Sequence, residues 1–254
     1  TVWYWKNQDL RTRFNIVRNY ESKITIEAEV SILFFRSLGY GTARIQQRLF
    51  CAPEIELKQM EIFVQGLIVS RQTINKILKK HKINGYKNKR KKAWKFFRAK
   101  YVNELWQLDL KQFKFKGKKY FFLVCIDDYS RFLLLAYQFD HAPDTEEIEN
   151  VMKELVEKYH PEKILTDNNP FGKEWEYWCK EQGIEAIFAH PHYPQDKGKI
   201  ERAIRNIAEE LVNLICIFHK LLNKDEILNW ISWFNEKRFH RGIKDFPANL
   251  YVKI

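Results

Sequence analysis

Apolar residues in the middle of the chain alternate with polar ones in short runs, a period of two that is typical of β-strands. The run from Leu105 to Lys116 puts Asp109 on the polar side of such a strand. Gly117 turns the chain, and runs at 119–126 and 131–139 complete an antiparallel meander. The pattern therefore predicts three strands, with one carboxylate on a wet or functional face.

After residue 140 the spacing predicts helices and short strands in alternation. The predicted elements are helices at 145–159 and 175–182 and strands at 163–166 and 185–189. The first of these strands ends at Asp167. A long helix is expected from about Asp196, with Glu201 just inside it.

Helical spacing also dominates the start of the chain. Apolar residues recur three and four positions apart in the segment 25–38, at Ile26, Val30, Leu33, Phe34 and Leu38. Gly39 to Gly41 break this helix, and Thr42 can cap a second one. Ser70 is a good N-cap for a further helix through Lys80. This arrangement predicts a helix-turn-helix domain.

The helix after Ser70 has an apolar face at Ile74, Ile77 and Leu78 and a polar face suited to DNA. The side chains left for solvent or base edges are Arg71, Gln72, Thr73, Asn75, Lys76 and Lys79. Arg, Gln and Asn offer paired donors and acceptors to the major groove. The alternative is a three-helix packing module that does not contact DNA.

Charge divides the chain and favours the DNA interpretation. Residues 1–103 carry 22 Lys and Arg against 7 Asp and Glu, whereas residues 104–254 carry 22 against 25. The segment 82–100 holds nine cations and no acid, and its candidate DNA contacts are Lys89, Arg90, Lys91 and Lys92. Phosphate attraction needs no special geometry. The alternative for this segment is a solvated linker.

Composition excludes several other classes of protein. The chain has 8 Trp, 12 Tyr and 19 Phe, too many for a disordered coil. No apolar run approaches the roughly 20 residues that span a bilayer, so no membrane partner is expected. The four cysteines lack paired spacing, which predicts reduced thiols in an intracellular protein.

Three acids occupy positions that packing does not explain. Asp109 lies mid-strand, where Asp is disfavoured. Asp167 ends a strand at an Asn-Asn-Pro turn, and Glu201 lies beside the apolar face of its helix. Each acid alone is explained as readily by structure, including turn formation and a helix first turn. Together they offer the carboxylate oxygens that two hard cations require.

The sequences around these acids resemble the three motifs of DDE transposases and retroviral-type integrases. They are WQLDLK around Asp109, ILTDNNPFG around Asp167 and PHYPQDKGKIERAIRNI around Glu201. Two further segments are similar to parts of that group, IDDYSRF at 126–132 and WFNEKRFHRGIKDFP at 233–247. The resemblance is strongest to bacterial and archaeal insertion-sequence transposases. Asn169 departs from the family, which often has Gly after Asp-Asn.

The resemblance implies an α/β, RNase H-like fold: a mixed five-stranded sheet flanked by helices, preceded by an all-α helix-turn-helix domain. It also implies two Mg²⁺ ions, for which Mn²⁺ can substitute. Asp109 would bridge both ions, while Asp167 and Glu201 would each complete one coordination sphere. Lys199 and Arg202 are candidate phosphate contacts, with helix-surface charge as the alternative.

The expected organisation has five parts. They are an unassigned segment at 1–24, the helix-turn-helix domain at 25–82, a basic linker at 83–103, the catalytic core at 104–218 and a helical extension at 219–254. The implied partner is double-stranded DNA, bound by a homodimer or larger assembly in the cytoplasm of a prokaryotic cell, at its nucleoid.

Two functions from different classes are open at this point. The first is a transposase or integrase that cleaves DNA and joins strands. The second is a catalytically inactive or domesticated DNA-binding regulator that retains the fold. The three acids favour the first, and magnesium-dependent cleavage of a DNA end separates the two.

Overall fold

The chain divides into two units. A computed structural model describes residues 24–57, 66–83, 98–115, 117–189, 197–213 and 223–251. The first unit takes in the described part of residues 1–92 together with 237–239, and the second takes in the described part of 93–236 together with 240–254. The basic linker residues Lys89 to Lys92 lie outside the described residues, as does most of the segment 1–24.

The first unit is helical, as the sequence predicts. Its helices are α1 (Ile26–Ser37), α2 (Thr42–Phe50), α3 (Glu54–Leu57) and α4 (Arg71–Lys80). Ser70 caps α4 by accepting a hydrogen bond from the Thr73 backbone amide at 3.1 Å. The cap predicted at Thr42 is wrong, because Gly41 is the N-cap of α2 and Thr42 is its first residue.

The buried face of α1 differs from its most apolar stripe. The buried residues are Ala28, Ser31, Ile32 and Phe35, whereas Ile26 is 79% exposed and Val30 is 42% exposed. An ion pair between Arg48 and Glu56, at 2.6 Å and fully buried, lies beneath these helices, and the Tyr40 hydroxyl donates to the same carboxylate. The face of α1 that is covered therefore combines small and large residues, and contacts with α2 and α4 decide which side of the helix is buried.

The second unit is built on a mixed five-stranded sheet, which confirms the predicted fold class. Its strands are β1 (Leu105–Phe115), β2 (Lys118–Asp127), β3 (Leu133–Phe139), β4 (Lys163–Thr166) and β5 (Glu185–Phe188). They lie in the order β3-β2-β1-β4-β5. Strands β1 to β3 pair antiparallel, while β4 pairs parallel with both β1 and β5.

Helices flank this sheet. They are α5 (Thr145–Tyr159), α6 (Lys173–Glu181), α7 (Gly198–Ile207), α8 (Lys224–Glu236) and α9 (Pro247–Tyr251). Asp144 and Glu147 form a capping box that begins α5. Helix α7 continues as a π-helical segment, Ala208–Val212, and the rest of the predicted long helix lies beyond the described residues.

The two faces of β1 meet different partners because side chains alternate along a strand. Trp106 and Leu108 are fully buried in a core with residues of α5 and α6, such as Met152 and Trp175. Residues 107 and 109 point the other way, and α7 contacts β1 and β2. This second face carries the candidate site. Among the described helices, none combines the length and the apolar character needed to span a membrane.

Candidate active site

Asp109 and Asp167 are brought level with each other by the parallel pairing of β1 and β4. Gln107 pairs with Leu165, so two residues further along both strands Asp109 and Asp167 are neighbours. Adjacent strands lie only about 4.8 Å apart. The register of a short parallel pair thus assembles two carboxylates that are separated by more than fifty residues of sequence.

A lysine lies between these two carboxylates. The Nζ of Lys197 is 3.2 Å from Oδ1 of Asp109 and 2.7 Å from Oδ2 of Asp167. The lysine side chain is 7% exposed, whereas the side chains of Asp109 and Asp167 are 19% and 49% exposed. Both acids therefore share one buried ammonium but remain partly open to solvent.

Glu201 lies one helical turn beyond this lysine. Its backbone amide donates to the Lys197 carbonyl at 3.0 Å, which begins α7, and its side chain is exposed. Within the residues that the structure describes, no three His, Cys, Asp or Glu side chains lie close enough to share a metal ion. Of the three predicted acids, the structure brings together Asp109 and Asp167 and leaves Glu201 apart from them.

The donors at this position fit a hard divalent cation. Carboxylate oxygens are the ligands that Mg²⁺ prefers, and it is commonly held by one or two carboxylates with its other positions open. Asp109 and Asp167 already converge on a cation, the Lys197 ammonium. Asp109 and Asp167 could therefore hold a metal ion. Glu201, on the first turn of α7, is the third candidate ligand.

A second acidic pair, Asp127 and Asp128, lies at the end of β2 and is fully buried. Asp127 accepts hydrogen bonds from the backbone amides of Asn103 at 2.9 Å and Ser130 at 2.7 Å, and from the Ser130 hydroxyl at 2.6 Å. Burial raises the pKa of Asp127. Asp127 therefore holds the turn that follows β2.

Asp128 connects the sheet to α7. It accepts from the Ala99 amide at 2.7 Å and from Nε2 of Gln107 at 2.8 Å. The Nζ of Lys199 lies 2.5 and 2.6 Å from its two carboxylate oxygens. Gln107 in turn accepts from the Ile200 amide at 3.1 Å. These bonds fix the start of α7, and therefore Lys197, relative to β1.

Lys199, predicted as a phosphate contact, forms an ion pair in which both oxygens of buried Asp128 hold its ammonium. Burial lowers the pKa of Lys199 to about 8. Arg202, the other candidate phosphate contact, is exposed on α7.

The predicted DNA-binding face of α4 is largely exposed. Gln72, Asn75 and Lys76 are exposed and Arg71 is partly buried. Thr73 is the exception, because it is only 8% exposed and its hydroxyl lies 2.8 Å from that of Ser70. Thr73 contributes to the cap of the helix and not to its outer surface.

Sequence reasoning missed Lys197, Gln107 and Asp128 as parts of one site. The sequence signal that could have marked Gln107 is that it shares the polar face of β1 with Asp109. Its full burial is visible only in the structure. No sequence signal distinguishes Lys197 from Lys199, because both precede Glu201 in the same short segment. Their pairing with different acids could therefore not be predicted.

Comparison with known families places this site within a recognised domain. Residues 99–194 match a family described as "Integrase core domain", and residues 182–247 match a second family with the same description. Together the two matches contain Asp109, Asp167, Lys197 and Glu201.

Curated relatives of part of this chain include retroviral polyproteins. The Gag-Pro-Pol polyprotein of squirrel monkey retrovirus is 32% identical over 114 residues, which is 44% of this chain. That of Mason-Pfizer monkey virus is 30% identical over 112 residues, or 42% of this chain. The matched part makes up only 6% of each polyprotein.

Solved structures with a similar fold include an intasome chain and an integrase core domain. A chain of the simian T-cell lymphotropic virus intasome, in complex with a PP2A regulatory subunit, has a TM-score of 0.56 and 17% identity, over 88% of this chain and 75% of that one. The HTLV-2 integrase catalytic core domain in complex with magnesium has a TM-score of 0.50 and 20% identity, over 61% of this chain and 99% of that one.

Proposed function

This chain belongs to the DDE/retroviral-type integrase superfamily, and from that premise we propose that it catalyses metal-dependent cleavage and strand transfer of DNA. The observation that carries the proposal is the convergence of Asp109 and Asp167 on one cation at the ends of two parallel strands. In α/β sheets this edge is where ligands bind. The reaction would be polynucleotidyl transfer.

In this proposal Asp109 and Asp167 hold Mg²⁺, with Glu201 as the third ligand and Mn²⁺ as a possible substitute. Bound metal ions activate an attacking oxygen and stabilise a leaving oxygen during displacement at phosphorus. The residues of the chain set the geometry: Asp109 is held by β1, Asp167 by the end of β4, and Glu201 by the anchored first turn of α7. The resemblance of its motif to that of the superfamily assigns Asp109 as the ligand that two ions would share.

Double-stranded DNA is the proposed substrate, and the first unit is its proposed binding domain. Helix α4 offers exposed Gln72, Asn75 and Lys76 beside partly exposed Arg71, which are side chains suited to base edges and phosphates. The structural relatives include a chain of an intasome and an integrase core domain in a trimeric form. A homodimer or larger assembly on DNA is accordingly proposed, since joining two DNA ends requires two sites.

The test is cleavage and joining of a labelled double-stranded DNA end with Mg²⁺ or Mn²⁺. Asp109→Asn and Asp167→Asn should each abolish turnover, because an amide cannot supply the lost negative charge, while DNA affinity changes little. Asp225→Asn removes an exposed acid at the start of α8 and is the matched control. Equal turnover in Asp109→Asn and Asp225→Asn would refute the proposed site.

A specific observation favours the second candidate, a DNA-binding relative without catalysis. Lys197 supplies a positive charge to the two acids where a catalytic ion would bind. A regulator would bind DNA with strong salt dependence and show no cleavage with any divalent ion. Absence of metal-dependent turnover together with retained DNA binding would decide for this alternative.

A further inference from the structure

We infer that Lys197 is an internal counterion that holds Asp109 and Asp167 together and that a divalent cation displaces when it binds. The inference rests on the proposed metal site but goes beyond it. It proposes that the position of the Lys197 side chain determines whether Asp109 and Asp167 can bind a divalent cation. Occupation of the carboxylates by the lysine and by a metal ion would then be mutually exclusive.

The distances show why both cations cannot occupy the site at once. The Nζ of Lys197 lies 3.2 Å from one acid and 2.7 Å from the other. A magnesium ion needs the same oxygens at about 2.0–2.1 Å. An ion placed between the two acids would meet the ammonium at a separation where like charges in a partly buried site repel strongly.

The exposed fractions of the side chains show that Lys197 is shielded from solvent and that Asp167 is accessible to it. The lysine side chain is 7% exposed, so its ammonium has exchanged water for the two carboxylates. Asp167 is 49% exposed, so an incoming ion can reach that acid from solvent before the lysine leaves. Displacement can therefore start at Asp167 and proceed inward to Asp109.

The chain around Lys197 permits this exchange. Lys197 is the N-cap residue of α7, and no side chain caps the helix there. Gly198 follows it, and a Cβ at this position would meet no atom within 4 Å. The anchor of α7 is made by Gln107 and the Ile200 amide and by Lys199 with Asp128, so the helix stays in place when the Lys197 side chain moves.

The first experiment measures Mn²⁺ binding to the full chain without DNA, by electron paramagnetic resonance of the free ion. Lys197→Gln should bind Mn²⁺ at least about tenfold more tightly than the unaltered protein, because a competing charge is removed. Lys153→Gln, which removes an exposed lysine from α5, is the matched control and should leave the affinity unchanged. Asp109→Asn should remove the binding.

The outcomes separate this inference from the proposed function. If Asp109→Asn removes Mn²⁺ binding but Lys197→Gln binds no more tightly than the unaltered protein, the counterion role is wrong and the metal site stands. If Asp109→Asn does not weaken Mn²⁺ binding, the proposed metal site is wrong, and the counterion role of Lys197 is wrong with it.

A second measurement needs no variant and so does not depend on folding of a mutant. Acetylation of lysines, followed by mass spectrometry, should modify Lys197 much more slowly than exposed Lys153 when no divalent ion is present. Addition of Mg²⁺ should raise the rate at Lys197 several-fold and leave that at Lys153 unchanged. A rate at Lys197 that does not respond to Mg²⁺ would overturn the inference.

Discussion

Two lysines, Lys197 and Lys199, lie two positions apart at the start of α7 and make opposite kinds of ion pair. Lys199 pairs with Asp128, whose side chain is 0% exposed. Lys197 pairs with Asp109 and Asp167, which are 19% and 49% exposed. The same residue type in the same segment thus forms one sealed pair and one pair that solvent can reach.

The difference lies in the other donors around each carboxylate. Asp128 also accepts from Ala99 and Gln107, so its oxygens have little capacity left for a ligand. Asp109 accepts one further bond, from the Leu110 amide at 3.0 Å. A carboxylate saturated by the protein stabilises the fold, whereas one with open lone pairs can bind a ligand.

The largest expected effect is on stability, at the sealed pair. Asp128→Ala should lower the free energy of unfolding by about 3–5 kcal/mol, because it removes the carboxylate that pairs with partly buried Lys199 and with buried Arg131, 3.7 Å away. Asp109→Asn should lower that free energy by less, because Asp167 still pairs with Lys197. Denaturant titration of the full chain measures both. Equal losses of unfolding free energy in the two variants would contradict the proposed difference between the two ion pairs.

A double-mutant cycle should sharpen the contrast. Combining Asp128→Leu with Lys199→Met removes both charges, so it should cost less than the sum of the single changes, with a coupling of about 0.5–3 kcal/mol. The same denaturant titration reads out all members of the cycle. Strict additivity would mean that the Lys199–Asp128 contact contributes nothing to folding.

A smaller effect is expected at the link between the two pairs. Gln107→Ala should cost about 1–3 kcal/mol, because it leaves the Ile200 amide without its acceptor and removes one of the two hydrogen bonds to Oδ1 of Asp128. It should also reduce metal-dependent DNA cleavage, since one of the two links that anchor α7 is lost. Gln112→Ala, an exposed residue on the same strand, is the control and should change neither quantity.

The smallest effect on the free energy of unfolding is expected at an exposed lysine–glutamate ion pair on the same sheet. Lys163 and Glu185, 3.0 Å apart, are 39% and 60% exposed, and the hydrogen bond to Glu185 raises the pKa of Lys163. The contribution of this pair is present below the ordinary lysine pKa and is lost as pH rises through the raised value. Lys163→Gln should be indistinguishable from Lys153→Gln in denaturant titrations at neutral pH.

Much of the second unit could be predicted from local pattern. Alternation located β1 to β3, and helical spacing located α5 with both ends correct, because these signals depend on neighbours in sequence. The buried face of α1 could not be predicted in this way. Its buried face carries Ser31 together with Ile32 and Phe35 while Ile26 is exposed, because contacts with α2 and α4, which are distant in sequence, decide which side of the helix is covered.

The sequence by itself determined the mixed sheet, the motifs of the integrase superfamily and the identity of the candidate acids, because period and motif are properties of consecutive residues. Only the tertiary structure decided that Lys199 is sealed against Asp128 while Lys197 lies between Asp109 and Asp167. Those contacts depend on strand register and on the anchoring of α7 by Gln107, which join residues distant in the chain. Burial and hydrogen-bond saturation then separate two chemically identical lysines.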